Sequence, residues 1–336
     1  TDRGFRMAAR PRGDDVIRMI PADAPADIGS FVQGESPALP PGHWLNYPVT
    51  TARRIVLNFG ESAALKGADI AFQSDLPRAD GMSSSSAFMV GTFLVLARLN
   101  RLEETDPWQA NITSGETLAE YLGCIENGSS YESLDGETGV GTFGGSEDHT
   151  AMLCSQPDRL GLFRYAPIRL QERLIWDDTL RLVIATSGVT AEKTGGALQS
   201  YNRASNRAAA IIRVLNQVTG SDFTNLHDCA AFAVQTGLAE VSGMLGTAER
   251  DDDRLRDMRL SARFEQFYHE EMEYVPGAAG AFRTGAVEKL GELADASHRA
   301  AASGLENQIP QTDALQRLAR EEGALASSAF GAGFGG

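Results

Sequence analysis

The sequence predicts an α+β protein of two domains. Three observations carry this reading. The chain is 336 residues long, more than one ordinary small domain needs. Its first half mixes extended and helical patterns, and from Glu192 onwards the pattern turns mainly helical. The change of pattern places a boundary near residue 178, giving domains over 1–178 and 179–336. Hydrophobic content of 42% and charged content of 22% suit a soluble globular protein with a sizeable core.

The elements follow in order. Extended segments are predicted at 4–10 and 15–20, separated by the turn-rich Pro11-Arg12-Gly13-Asp14. Residues 37–42 form a loop, and 44–58 reads mostly as a helix. Over 69–76, Ile70, Phe72 and Leu76 share one face, as in a strand. Residues 81–86 are a loop opening directly into an apolar helix at 87–99. A helix is expected at 118–125, then a Gly- and Ser-rich connection over 128–145. Strands are expected at 160–165 and 180–186. Helices are expected at 193–218, 226–245, 253–268, 281–303 and 312–322. The acidic run 249–253 reads as the solvated start of a helix.

A formal net charge of −15 argues against a broad nucleic-acid or anionic-membrane surface, which needs clustered Lys and Arg. It leaves room for a phosphate ligand, because backbone amides and a metal ion can hold one. No apolar run approaches the roughly 18 residues of a membrane span, and residues 1–12 lack a signal-peptide pattern. Cys124, Cys154 and Cys229 are odd in number with no short spacing. They read as core thiols rather than redox or metal groups, in keeping with a reducing cytoplasm. A monomer or weak homo-oligomer is expected.

The most informative segment is Pro77-Arg78-Ala79-Asp80-Gly81-Met82-Ser83-Ser84-Ser85-Ser86-Ala87. Four consecutive serines could be a flexible linker. A linker would not be tied between a strand and an apolar helix, as this segment is. Serines at a helix start cap free amides, and the remaining N–H groups point towards negative charge. Small side chains let phosphate oxygens approach the backbone, and the hydroxyls can bind a magnesium ion carried by the nucleotide. The Gly-Lys-Ser/Thr ending of a Walker loop is missing.

This segment resembles the second motif of the GHMP kinases, with Met82 where the family usually has leucine. Gly144-Gly145-Ser146-Glu147-Asp148-His149 resembles the galactokinase turn Gly-x-x-Asp-Gln, whose aspartate is the proposed base; His149 replaces the glutamine. The resemblance makes Asp148 the candidate base, with Gly145 beside it on the sugar side. Glu126, in its Glu-Asn context, matches the family's metal-binding glutamate, and Glu120 is the competing position. Residues 128–142 look like an insertion of about ten residues. His149 reads as a polar wall of the site, since phosphoryl transfer has no evident need for a histidine.

Trp44-Leu45-Asn46-Tyr47 resembles the family's Trp-x-Asn-Tyr near the adenine, with structural packing the competing role for Trp44 and Tyr47. Ser187-Gly188-Val189-Thr190 and Tyr201-Asn202-Arg203 resemble the galactokinase stretch that offers a tyrosine to the sugar. Ordinary helix packing is the competing, lesser role for Tyr201. The closing run Ser328-Ala329-Phe330-Gly331-Ala332-Gly333-Phe334-Gly335-Gly336 resembles the third GHMP motif rather than a dinucleotide fingerprint.

Together these resemblances imply a ribosomal S5 domain 2-like N-terminal domain and a ferredoxin-like C-terminal domain. They imply ATP held over Gly81, Ser83, Ser84, Ser85 and Ser86, with magnesium on Ser85 and Glu126. Asp148 would face the anomeric hydroxyl of galactose or a related aldose. The competing readings are a kinase for another small alcohol and a catalytically silent sugar and nucleotide sensor. The first galactokinase motif, Gly-Glu-His-Thr-Asp-Tyr, is not found in this chain, which halts inside the third. A working polypeptide extending roughly 30 or more residues past both ends is therefore expected.

Overall fold

The computed structural model describes residues 3–40, 42–76, 81–190 and 198–335. The chain divides into two compact units. One comprises Thr1–Pro157, Phe163–Gln171 and Glu192–Leu198; the other comprises Asp158–Leu162, Glu172–Ala191 and Gln199–Gly336. The chain passes between the two units several times between residues 157 and 199.

In the first unit, β1 (Phe5–Pro11), β2 (Val16–Pro21), β3 (Gly29–Val32) and β4 (Ala68–Ser74) form a sheet of order β1-β4-β2-β3. β2 and β4 run parallel; the other neighbours are antiparallel. Alternation sends Ile17, Met19 and Ile70 into the core, all fully buried. Against the sheet lie α1 (Asn46–Phe59) and α2 (Ser84–Asn100), followed by α3 (Asp106–Asn111), α4 (Gly115–Asn127) and α5 (Glu147–Cys154). The 128–142 segment folds back onto these helices. Asn58 Nδ2 donates to the Asp135 carbonyl at 3.2 Å, Arg53 pairs with Glu137 at 2.6 Å, and Arg54 donates to the Ser129 carbonyl.

On the opposite face of the sheet, Asp69 stands in register between Arg10 and Arg18. Its carboxylate accepts from Arg10 Nε at 2.8 Å and Arg12 Nη1 at 3.0 Å, with Arg18 Nε 2.9 Å away. The Arg10 hydrogen bond, helped by Arg12 and Arg18 and opposed by desolvation, pulls its pKa down to about 2. A carboxylate with a depressed folded pKa adds stability above its ordinary value, near 4, and loses it as pH falls through 2. Thermal melts at pH 5, 3 and 2 should show this decline. In Asp69→Asn the melting temperature should be lower at pH 5 and flatter across the window; parallel curves would refute the assignment.

β5 (Arg159–Arg164) and β6 (Arg169–Ile175) form a two-stranded sheet. The second unit then runs through α6 (Leu198–Thr219), α7 (Leu226–Thr236), α8 (Leu238–Asp251) and α9 (Leu260–His269). It ends with α10 (Val275–Thr284), α11 (Lys289–Ala300) and α12 (Pro310–Glu321). Its core gathers Ile211, Leu215, Cys229, Val241, Leu245 and Phe264. Arg207, 1% exposed, donates to the Gly304, Leu305 and Arg259 carbonyls and to Glu306. Burial pushes the Cys124 and Cys229 thiols up to about 11 and about 12, as expected of inert core thiols. Among the described residues no helix is long and apolar enough to cross a membrane.

Several expected elements are corrected. Residues 180–186 join no sheet among the described residues, and Leu182 and Val183 are 78% and 82% exposed. A strand exists only through its ladder partners, and no described segment pairs with this one. The expected helix 226–245 breaks at Gly237, whose φ of 110° no helix accommodates. The helix expected from 253 starts only at Leu260, after turns ending at left-handed Arg259. The 281–303 helix is interrupted at Gly285, a left-handed cap on α10. Residues 193–197 of the expected 193–218 helix lie outside the described residues.

Candidate active site

The site of the first unit is built from the start of α2, the end of α4 and the start of α5. Pro77, Arg78, Ala79 and Asp80 lie outside the described residues. Gly81 (φ 77°) and Ser83 (φ 50°) are both left-handed. Left-handed backbone is routine for glycine, but for serine it is strained by about 1–3 kcal/mol. Ser83 is the N-cap of α2, yet its side chain caps no amide. The first-turn amides of Ser84, Ser85 and Ser86 have no intrahelical acceptor. Ser86 is fully buried, and its hydroxyl donates to Asp148 Oδ2 at 3.5 Å, a long contact. The serine loop and the predicted base are thus brought together.

Asp148 sits in the first turn of α5, where negative charge stabilises a helix. Its position is fixed through α4. A Cβ at Gly123 would come within 2.9 Å of Ser146 Cβ, so the Gly145-Ser146 turn rests directly on the helix there. Asn127 Nδ2 donates to the Gly144 carbonyl at 2.9 Å, and Val140 N donates to the Glu126 carbonyl at 3.0 Å. Gly145 itself is exposed with open space around it.

Glu126 ends α4, 7% exposed, with Oε2 at 3.3 Å from His149 Nε2. His149 is 1% exposed, which corrects its reading as a polar wall: the ring is buried against Glu126. Glu126 Oε2 and both ring nitrogens of His149 are buried without a hydrogen-bond partner. Glu120 is engaged elsewhere: Oε2 accepts from Ile168 N at 3.3 Å, and burial pushes its carboxyl pKa up. Glu126 thus meets α5 through His149, whereas Glu120 meets Ile168. The contact with His149, and Gly123 as the seat of the turn, were missed by sequence reasoning. Gly123 gave no signal beyond being a glycine within a helix.

Trp44 packs its ring on Phe72 at 5.7 Å and on Phe88 at 6.1 Å. Phe88 lies two residues beyond Ser86, so Trp44 is at least a structural support of the loop. Tyr47 is half-buried on α1 against the same core. In the second unit, Tyr201 is half-buried in the first turn of α6. The closing glycine run wraps Asn307, whose carbonyl accepts from Phe334 N at 2.6 Å, while Gly335 packs against the Val189 backbone.

Comparison with known proteins places this arrangement. The family described as GHMP kinases N terminal domain matches residues 46–129, which span α1 to the end of α4. The chain is 27% identical over 347 residues of alignment to a galactokinase of Roseiflexus sp. (strain RS-1), covering all of this chain and 74% of that protein. It is 25% identical over 345 residues to a galactokinase of Chloroflexus aggregans (strain MD-66 / DSM 9485), covering 100% and 75%. A crystal structure of Lactococcus lactis galactokinase complexed with galactose superposes with a TM-score of 0.68 at 18% identity, over 100% of this chain and 76% of that one. The α+β architecture is that of the GHMP kinases. Residues 46–129 match the N-terminal domain of the GHMP kinases, and over its whole length the chain is similar to galactokinases at 25–27% identity.

Proposed function

We propose that this chain transfers the γ-phosphate of ATP to the anomeric hydroxyl of galactose or a related aldose. The observation that carries the reading is the meeting of Ser86 and Asp148 at 3.5 Å. It sets the uncapped amides of α2 beside an acid. Phosphoryl transfer needs charge neutralisation at the phosphates and a group that orients or deprotonates the attacking hydroxyl. The amides of Ser84, Ser85 and Ser86 supply the first, and Asp148 supplies the second. The names of the full-length relatives support a sugar as acceptor.

The residues present fit a magnesium ion. Glu126 Oε2 is a hard oxygen atom with no hydrogen-bond partner, and Ser85 is half-buried in the first turn of α2. When bound with the nucleotide, the ion would neutralise phosphate charge. Trp44 and Tyr47 are proposed on the adenine side, and Gly145 and Tyr201 on the sugar side. Residues 1–178 would act as the nucleotide-binding domain and 179–336 as the C-terminal domain.

The test is the purified chain with ATP, magnesium and a panel of aldoses, with the product position read by phosphorus NMR. A 1-phosphate of galactose or a close epimer is expected. Phosphate only on a primary hydroxyl, or only on a non-sugar alcohol, overturns the reading. Binding of sugar and nucleotide without any product would favour a silent sensor.

A further inference from the structure

We propose that His149 is a metal ligand, and that Glu126 Oε2 and His149 Nε2 together hold the nucleotide's divalent cation, giving the site a preference for manganese over magnesium. The proposal rests on the nucleotide–metal part of the reading above and not on the identity of the acceptor. The two atoms are 3.3 Å apart and buried, yet not hydrogen-bonded to one another or to any other group. Buried polar atoms without a hydrogen-bond partner are costly, so such a cluster suits an ion or a water. Two ligands about 2.1–2.2 Å from one ion stand about 3.0–3.1 Å apart at a right angle and about 3.3 Å apart at about 100°. The separation is that of cis ligands on a shared cation.

The surroundings are consistent with this. Among the described residues no group of three or more His, Cys, Asp or Glu side chains could hold a metal. The protein would contribute Glu126, His149 and the Ser85 hydroxyl, with phosphate oxygens and water completing the shell. A carboxylate alone suits magnesium. An imidazole nitrogen beside it favours first-row transition-metal ions over magnesium, and among these manganese keeps magnesium's octahedral, oxygen-rich habit.

The test is pulsed EPR of the full chain with manganese and ADP, without sugar, prepared with natural and with 15N-labelled histidine. Nitrogen modulation that changes with the histidine isotope, and that vanishes in His149→Gln, is the expected result. Competition titration should show manganese bound about tenfold or more tighter than magnesium by wild type, a preference largely lost in His149→Gln. Manganese–ADP bound without histidine-derived modulation in the wild type overturns the proposal, whether or not the variant folds. So does modulation that persists in His149→Gln, or failure to bind manganese with ADP. Histidine modulation without phosphorylation of any aldose would sink the sugar kinase reading alone.

Discussion

Asp148→Asn lowers turnover about 10²-fold or more and leaves nucleotide affinity within about twofold. Asparagine keeps the shape of the side chain and one acceptor oxygen but removes the charge that draws the acceptor's proton. The loss falls on the reacting hydroxyl, so it should appear in kcat rather than in the nucleotide's Kd. Glu126→Gln behaves differently: the magnesium or manganese concentration needed for half-maximal rate rises, and saturating metal restores most of the rate. Initial-rate kinetics across metal concentrations, with a parallel titration of a fluorescent nucleotide, separate the two. Wild-type turnover in Asp148→Asn would refute its role as base. A metal-dependent defect in Glu120→Gln instead of Glu126→Gln would move the ligand one and a half turns back along α4.

Phe93→Ala should destabilise the first unit by about 3–5 kcal/mol. Phe93 is fully buried on α2, stacked on Trp108 with ring centres 6.0 Å apart and met edge-on by Tyr121 at 5.7 Å. Truncation removes the ring's burial, leaves a cavity and dissolves two aromatic pairs. Leu94, its neighbour, is 41% exposed. Leu94→Ala should therefore change stability by no more than about 0.5 kcal/mol. Urea titration followed by tryptophan fluorescence reads both variants. Equal midpoints for the two would show that α2 is not packed as described.

Much of this chain was legible from sequence because its functional elements are local. The strand β4, the serine loop and α2 are consecutive, and their hydrophobic patterns change sharply at the loop. The acid of the Gly144-Gly145 turn was readable for the same reason. What could not be read is what depends on distant partners. β3 is a run of only four residues, too short to show a period. In β6, Gln171, Glu172 and Arg173 stand together, so alternation is lost. Residues 180–186 show the reverse: a strand-like composition without a described partner. Glycines at 237 and 285 broke helices whose apolar pattern runs on past them. The pairing of Glu126 with His149 joins the end of one helix to the start of another, and no spacing rule announces it.

The seating of the Gly145-Ser146 turn on Gly123 has a consequence for how this chain can change over generations. The distance between Glu126 and Asp148 is set by a helix and a turn pressed against it, with Asn127 and Val140 pinning the two ends of the intervening segment. The length of that segment does not enter. Each doubling of a flexible loop costs only about 0.6 kcal/mol, so the exposed positions of 128–142 can diversify or take insertions, while the buried Tyr131, Leu134 and Val140 and the bonds to Ser129, Asp135 and Glu137 hold the rest in place. The spacing of the two acids is indifferent to such drift, whereas a single methyl group at position 123 would disturb it.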